Sequence, residues 1–178
     1  DICDETDALL ILDDVRSCMR LDPKGSWNTL APGVIPDLTA YCKGIANGYP
    51  LAAVLGCEKL RQVAARIPST GSFWCNAVPF AAAIATIKVV LDEGVVSSMV
   101  AAGLHLRRGL QAQAQHYSLS IRCSGPPQMP LLIFEADSKS AGSSMDLKNW
   151  PRISLWCSEC ALRGVWFHPF HNNFISAA

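Results

Sequence analysis

Leu9-Leu10-Ile11-Leu12-Asp13-Asp14-Val15-Arg16 is an apolar run closed by two acids, and its reading decides the fold. From Ala8 to Leu12 the run has no polar alternation, the pattern of a strand covered on both faces in a parallel sheet. In open α/β sheets ligands collect beyond the carboxyl ends of strands, so acids at such an end stand where a site forms. A second strand, Leu38 to Tyr41, lies within Pro36-Asp37-Leu38-Thr39-Ala40-Tyr41-Cys42-Lys43-Gly44-Ile45-Ala46-Asn47-Gly48-Tyr49-Pro50 and delivers Lys43, thirty positions after Asp13. Two strand ends in one sheet let residues so far apart converge. Thr70-Gly71-Ser72-Phe73-Trp74-Cys75-Asn76-Ala77 then opens an alanine-rich helix.

Outward from this stretch, helices and strands alternate. Asp1 to Thr6 reads as the tail of a helix, and Leu21 to Pro36 is a polar, Pro/Gly-rich loop too long to be idle in a compact domain. Leu51 to Leu55 is a further strand and Glu58 to Ile67 a helix. Ala77 to Leu91 is helical and nearly uncharged on all sides, which predicts burial. Val95 to Tyr117 is a long amphipathic helix crossing into a second domain. Beyond it come strands at Leu119 to Cys123 and Leu131 to Glu135, a helix within Met145 to Leu162, and terminal strands around Val165 and Phe174. Strands, helix and strands in that order make a smaller α+β unit. The expected division is 1–103 for a large domain and 104–178 for the small one.

Composition narrows the class. The chain has 178 residues, 50% hydrophobic and 17% charged, enough to bury a core. Fifteen basic and fifteen acidic side chains cancel, which argues against a nucleic-acid footprint and leaves small molecules as the expected partners. No apolar run reaches the ~18 residues of a membrane span, and the acidic start is unlike a signal peptide, so a soluble, cytoplasmic protein is expected. Cys3, Cys18, Cys42, Cys57, Cys75, Cys123, Cys157 and Cys160 stand singly in apolar segments, as thiols of a reducing compartment do. Cys157-x-x-Cys160 followed by His168-x-x-His171 invites a zinc reading. Only seven residues separate the pairs, against the ~12 of a finger, and Gly164-Val165-Trp166-Phe167 fills the gap, so no metal is expected.

The strings around the two strand ends resemble the class III aminotransferases, the pyridoxal 5′-phosphate (PLP) family that includes glutamate-1-semialdehyde aminomutase. The resemblance implies an α/β fold: part of the large domain of the type I PLP-dependent transferase fold, with a mainly parallel sheet, plus a small C-terminal α+β domain. In that family the acid-acid-Val string places its first acid on the pyridine nitrogen and its Val on the ring face, which implies those roles for Asp13 and Val15. Asp14 stands where Glu is commoner. The Pro-Asp-Leu…Lys-x-Ile-x-x-Gly-x-Pro string implies that Lys43 forms the Schiff base. The Gly71-Ser72 pair implies that Ser72 bonds the cofactor phosphate of a neighbouring subunit, and hence a homodimer. The terminal segment from Gly164 to Ala178 matches the part of the family that reaches the substrate mouth. The aminomutases carry Glu where His171 stands, so the resemblance puts His171 near the substrate only by position.

Such chemistry has physical requirements that the residues meet. A lysine must carry the cofactor, and a carboxylate must keep the pyridine nitrogen charged so that the ring draws electrons from the substrate carbanion. The function implied is amino-group transfer, or intramolecular 2,1-transfer, between a small amine or amino acid and a keto or aldehyde substrate. The match covers only the later part of enzymes more than twice this length. The chain is therefore expected to be a fragment, without the phosphate-cradling Gly/Ser loop and the ring-stacking aromatic residue. Two alternatives stay open: an inactive remnant with a structural or dimerising role, and a metal module built on Cys157, Cys160, His168 and His171.

Overall fold

In the computed structural model, which describes residues 2–68, 71–134 and 150–177, a short helix α1 (Ile2–Thr6) leads into β1 (Ile11–Asp13). β1 lies parallel to β2 (Leu38–Tyr41), with Ile11 against Leu38 and Asp13 against Ala40, so the two strands end together. β3 (Ala53–Gly56) runs antiparallel to β2, with Tyr41 opposite Ala53 and Leu38 opposite Gly56. Residues 42–52 between β2 and β3 are too few for a helical crossover, so the chain turns back; an antiparallel edge on an otherwise parallel sheet is common in doubly wound folds. β1 is the other edge of this three-stranded sheet, and Ile11 is 63% exposed. The apolar run thus lacks the double cover expected of it among the described residues.

Asp37 ties the strand starts together. Its Oδ2 accepts from Leu10 N–H at 2.9 Å, its own N–H donates to Leu10 O at 2.9 Å, and its carbonyl accepts from Cys57 N–H at 2.9 Å. Lys59 Nζ lies 2.6 Å from its Oδ1. The bond from Lys59 first, and that from Leu10 second, hold the carboxyl below its usual 3.8. A depressed carboxyl contributes stability that is complete above its unfolded value and is lost as pH falls through its folded value. The thermal midpoint is therefore expected to fall more steeply below pH ~4 in the parent than in Asp37→Asn, a difference that paired melts across pH read directly. Identical pH dependence in the two would contradict this role.

Glu58 to Ile67 does not form one helix. It folds as a 3₁₀ turn over Glu58–Leu60 and a single turn α2 (Arg61–Ala64), then tightens through Arg66 N–H to Val63 O and Ile67 N–H to Ala64 O. Pro68 next in sequence explains the early stop, because the residue before proline avoids the helical region. α3 (Ala77–Asp92) starts where Asn76 Oδ1 accepts Val78 N–H at 3.0 Å, and Pro79 sits in the first turn, where its missing N–H costs nothing. Only Pro79, Ala83 and Val90 of α3 are buried, while Val78, Phe80, Ile84 and Leu91 are exposed. The all-round burial read from its composition is not observed; the covered face packs on the turn at Lys43–Ala46, and with it forms the core of Cys18, Met19, Tyr41, Ile45, Ala46, Ala83 and Val90.

The chain divides into two units, Asp1–Val96 and Ser97–Ala178. α4 (Val95–His116) is followed by the antiparallel pair β4 (Ile121–Ser124) and β5 (Leu131–Phe134), with buried Cys123 opposite buried Leu132. α4 meets the β4–β5 connection at Gly103, where a Cβ would stand 2.0 Å from Pro127 O, so only glycine permits this approach. Arg107 donates from Nη1 to Gly125 O and from Nη2 to Cys123 O. α5 (Trp150–Leu162) opens with Pro151 in its first turn and lays Trp156 between Phe134 and Phe167, at ring separations of 5.7 and 4.6 Å. Glu135 and residues 145–149, read above as strand and helix, lie outside the described residues. The terminal strands expected around Val165 and Phe174 do not form. Residues 165–177 are irregular, attached by Asn173 N–H to Pro130 O and Ile175 N–H to Gln128 O, because Asn173 Oδ1 accepts His168 N–H and folds the segment on itself around Pro169. Among the described residues no helix is long and apolar enough to cross a membrane.

Candidate active site

The parallel pairing of β1 and β2 brings the two chemistry-bearing ends to one edge of the sheet. Asp13 closes β1 opposite Ala40, and Lys43 follows β2 by two residues. Asp13 is exposed, and its Oδ1 accepts Val15 N–H at 3.1 Å, a local turn that fixes the carboxylate on its own backbone. Its Oδ2 makes no bond among the described residues. Val15, half-buried, directly follows the acids. Lys43 is exposed, and among the described residues no carboxylate pairs with it.

Lys43 begins a 3₁₀ turn over Lys43–Ala46 with φ at 44°, and Asn47 ends it at φ 44° before Gly48. Left-handed backbone at a residue with a Cβ costs roughly 1–3 kcal/mol and persists where surroundings over-determine it. Those surroundings come from the long loop after Asp14. Asp14 is fully buried, with Oδ2 accepting Ser26 N–H at 2.9 Å and Oδ1 lacking a partner among the described residues. Its carbonyl accepts Cys18 N–H at 2.9 Å, and Cys18 Sγ lies 3.2 Å from Cys42 O. Tyr41 donates its hydroxyl to Lys24 O at 2.7 Å and stacks on Trp27 at 6.2 Å. Burial, then the Asp14 charge, hold the Tyr41 phenol well above its usual value, so it stays a donor. Asp22 Oδ1 accepts from Lys24 N–H, Gly25 N–H and Asn28 Nδ2, which ties the first part of the loop to itself.

The sequence singles out Asp13, Val15 and Lys43 as candidates but not this clamp. In sequence Asp14 reads only as a substitute for Glu, Cys18 and Cys42 as thiols in apolar segments, and Tyr41 as the end of a strand. Ser72 lies exposed in the turn that precedes α3; Thr70 before it is outside the described residues. His171 is exposed in the second unit, its ring stacked on His168 at 3.5 Å and its Nδ1 2.7 Å from Asn172 O. His168 Nδ1 accepts from Phe170 and His171 N–H, and burial, then the nearby His171, hold its imidazole below the usual value. Cys157 and Cys160 pack from α5 against the cluster of Cys123, Leu132 and Phe167, and burial pushes both thiols up. Among the described residues no three potential metal ligands come together.

Among the described residues, a carboxylate with an open oxygen and an amine without an anionic partner thus stand at adjacent strand ends, the donor types that bind a charged nitrogen and attack an aldehyde. Comparison with known proteins bears on the whole chain. The sequence model of the class-III aminotransferases matches residues 1–178. An aminopentol aminotransferase of Sphingopyxis macrogoltabida is 43% identical over 99% of this chain and 39% of its own length. A glutamate-1-semialdehyde 2,1-aminomutase of Desulforudis audaxviator is 30% identical over 96% of this chain and 40% of its own. Among solved structures, the FumI protein of Sphingopyxis sp. MTA144 in its PLP internal-aldimine form superposes with TM-score 0.88 at 41% identity, over 99% of this chain and 40% of that one. The chain spans about two fifths of the length of the curated relatives it matches along its whole length.

Proposed function

The chain belongs to the class-III aminotransferase family and carries part of its PLP-dependent transaminase fold, and from that premise we propose that its protein transfers amino groups with PLP held by Lys43 and Asp13. The observation that carries the reading is the common end of β1 and β2, which leaves at one sheet edge an amine and a carboxylate oxygen that are unpaired among the described residues. PLP, when bound, withdraws electrons from the carbon that carries the amino group. Asp13 would keep the ring nitrogen protonated through its open oxygen, while Val15 would pack on the ring face. Lys43 Nζ would hold the aldehyde carbon and, once an incoming amine takes its place, move a proton at the substrate carbon. Ser72 would bond the cofactor phosphate of a second copy in a cytoplasmic homodimer. The resemblance also makes His171 a substrate-side group.

The substrates proposed are a small amine or amino acid as donor and a keto or aldehyde compound as acceptor, with intermolecular transfer favoured. Position 171 supports that preference, because it holds an imidazole where the aminomutases carry a carboxylate. Mixing the PLP-loaded protein with a panel of amines and amino acids tests the reading. One equivalent of pyridoxamine phosphate and one of the carbonyl product per site are expected from at least one donor. PLP recovered unchanged across the panel would contradict it.

A further inference from the structure

Cys18 sits between the two proposed functional groups without being either of them. Its side chain is completely buried, and its N–H hangs from the carbonyl of Asp14, the residue directly after Asp13. Its sulfur lies 3.2 Å from the carbonyl of Cys42, the residue directly before Lys43. Its own carbonyl abuts Gly44, where an added Cβ would stand 3.0 Å away. Cys18 therefore grips both neighbours of Lys43, and a chain of two hydrogen bonds links the carboxylate strand end to the amine strand end.

We propose that Cys18 is a positioning residue for Lys43: its thiol, donated to the Cys42 carbonyl, sets the left-handed turn from which the amine is presented. The role rests on the reading of Lys43 as the cofactor-holding amine. The Cys42 carbonyl has two lone pairs, and the structure uses both, one for Ile45 N–H at 3.1 Å and one for the thiol. The first bond closes the 3₁₀ turn itself; the second anchors that turn to the Asp13 side of the sheet. Burial, reinforced by the Asp14 charge and offset by the Cys42 bond, pushes the thiol up, so at neutral pH the sulfur keeps the proton it donates. Met19 directly after Cys18 is itself left-handed at φ 61°, which turns the loop beneath Lys43 rather than past it. A residue that merely filled volume would need neither a donor proton nor this strained neighbour.

The discriminating pair of variants is Cys18→Ala, which removes the donor, and Cys18→Ser, which restores one. Two readouts are taken on the same proteins. Without PLP, hydrogen exchange across residues 42–49 is followed, with residues 121–134 in the second unit as internal control. With PLP bound, the pH midpoint of the visible absorption change is measured. Cys18→Ala is expected to speed exchange at 42–49 by about fivefold and to displace the absorption midpoint, with 121–134 unchanged, whereas Cys18→Ser stays near the parent on both. Exchange and midpoint unchanged in Cys18→Ala would overturn the proposal, as would Cys18→Ser behaving like Cys18→Ala, since packing alone would then explain the residue. Borohydride labelling of the parent at another lysine would overturn the lysine reading itself, and the role drawn for Cys18 with it, whatever the exchange shows.

Discussion

Lys43→Ala is expected to lower turnover by about ten-thousand-fold or more, roughly 5 kcal/mol of barrier, because in the proposed reaction one side chain supplies both the covalent hold and the proton transfer. The fold should survive the change. Lys43 is exposed, has no ionic partner among the described residues, and alanine removes only a solvated side chain from a turn fixed by Cys18, Ile45 and Tyr41. Thermal midpoints of parent and variant are therefore expected to agree within a few degrees. Lys43→Arg separates the roles. A guanidinium keeps the positive charge but does not deprotonate near neutrality, so it can neither attack an aldehyde nor accept a proton, and Arg should be as inactive as Ala. Small primary amines added to Lys43→Ala should restore part of the rate by supplying the missing base. Substantial activity in Lys43→Arg would reduce the lysine to a point charge and contradict the mechanism.

Asp13→Asn is expected to cost about 10²- to 10³-fold in turnover, roughly 3–4 kcal/mol. The amide is nearly isosteric, and its oxygen still accepts Val15 N–H, so the turn after β1 persists. What disappears is the negative charge on the open oxygen, and with it the means of holding a proton on a ring nitrogen. The loss should fall on kcat more than on PLP affinity, which also draws on the lysine and the phosphate. A variant within a few-fold of the parent would place the ring elsewhere than against Asp13.

The placement of Asp13 and Lys43 at neighbouring strand ends was legible because Asp13 closes, and Lys43 follows by two residues, a strand whose apolar pattern is visible in sequence, and a parallel pairing needs only the end of each strand to be known. The sequence strings around them did the rest. Cys18 was not legible in the same way. The role proposed for it depends on a carbonyl 24 positions away, and nothing in the run Ser17-Cys18-Met19 distinguishes a donor thiol from a core thiol. Tyr41 and Asp14 are similar cases, since their partners are backbone groups of the long loop, Lys24 O and Ser26 N–H. That loop was expected to have work to do on length alone, but the work, buttressing the lysine turn, appears only in three dimensions. Periodicity failed most clearly at the ends. The aromatic segment from Val165 to Phe174 reads as strand by composition, yet side-chain capture by Asn173 and the proline at 169 bend it out of any ladder. The nearly uncharged α3 likewise predicted burial that only Pro79, Ala83 and Val90 show among the described residues.

Everything proposed for the reaction depends on Lys43 as the amine that carries PLP. Incubating the protein with PLP, reducing with borohydride and mapping the modified peptides by mass spectrometry tests it directly. A phosphopyridoxyl mass is expected on the peptide containing Lys43, saturating at one per chain, and its loss in Lys43→Ala. Label spread over Lys24, Lys59 and Lys88 at comparable yields, with Lys43 no richer than they are, would contradict it.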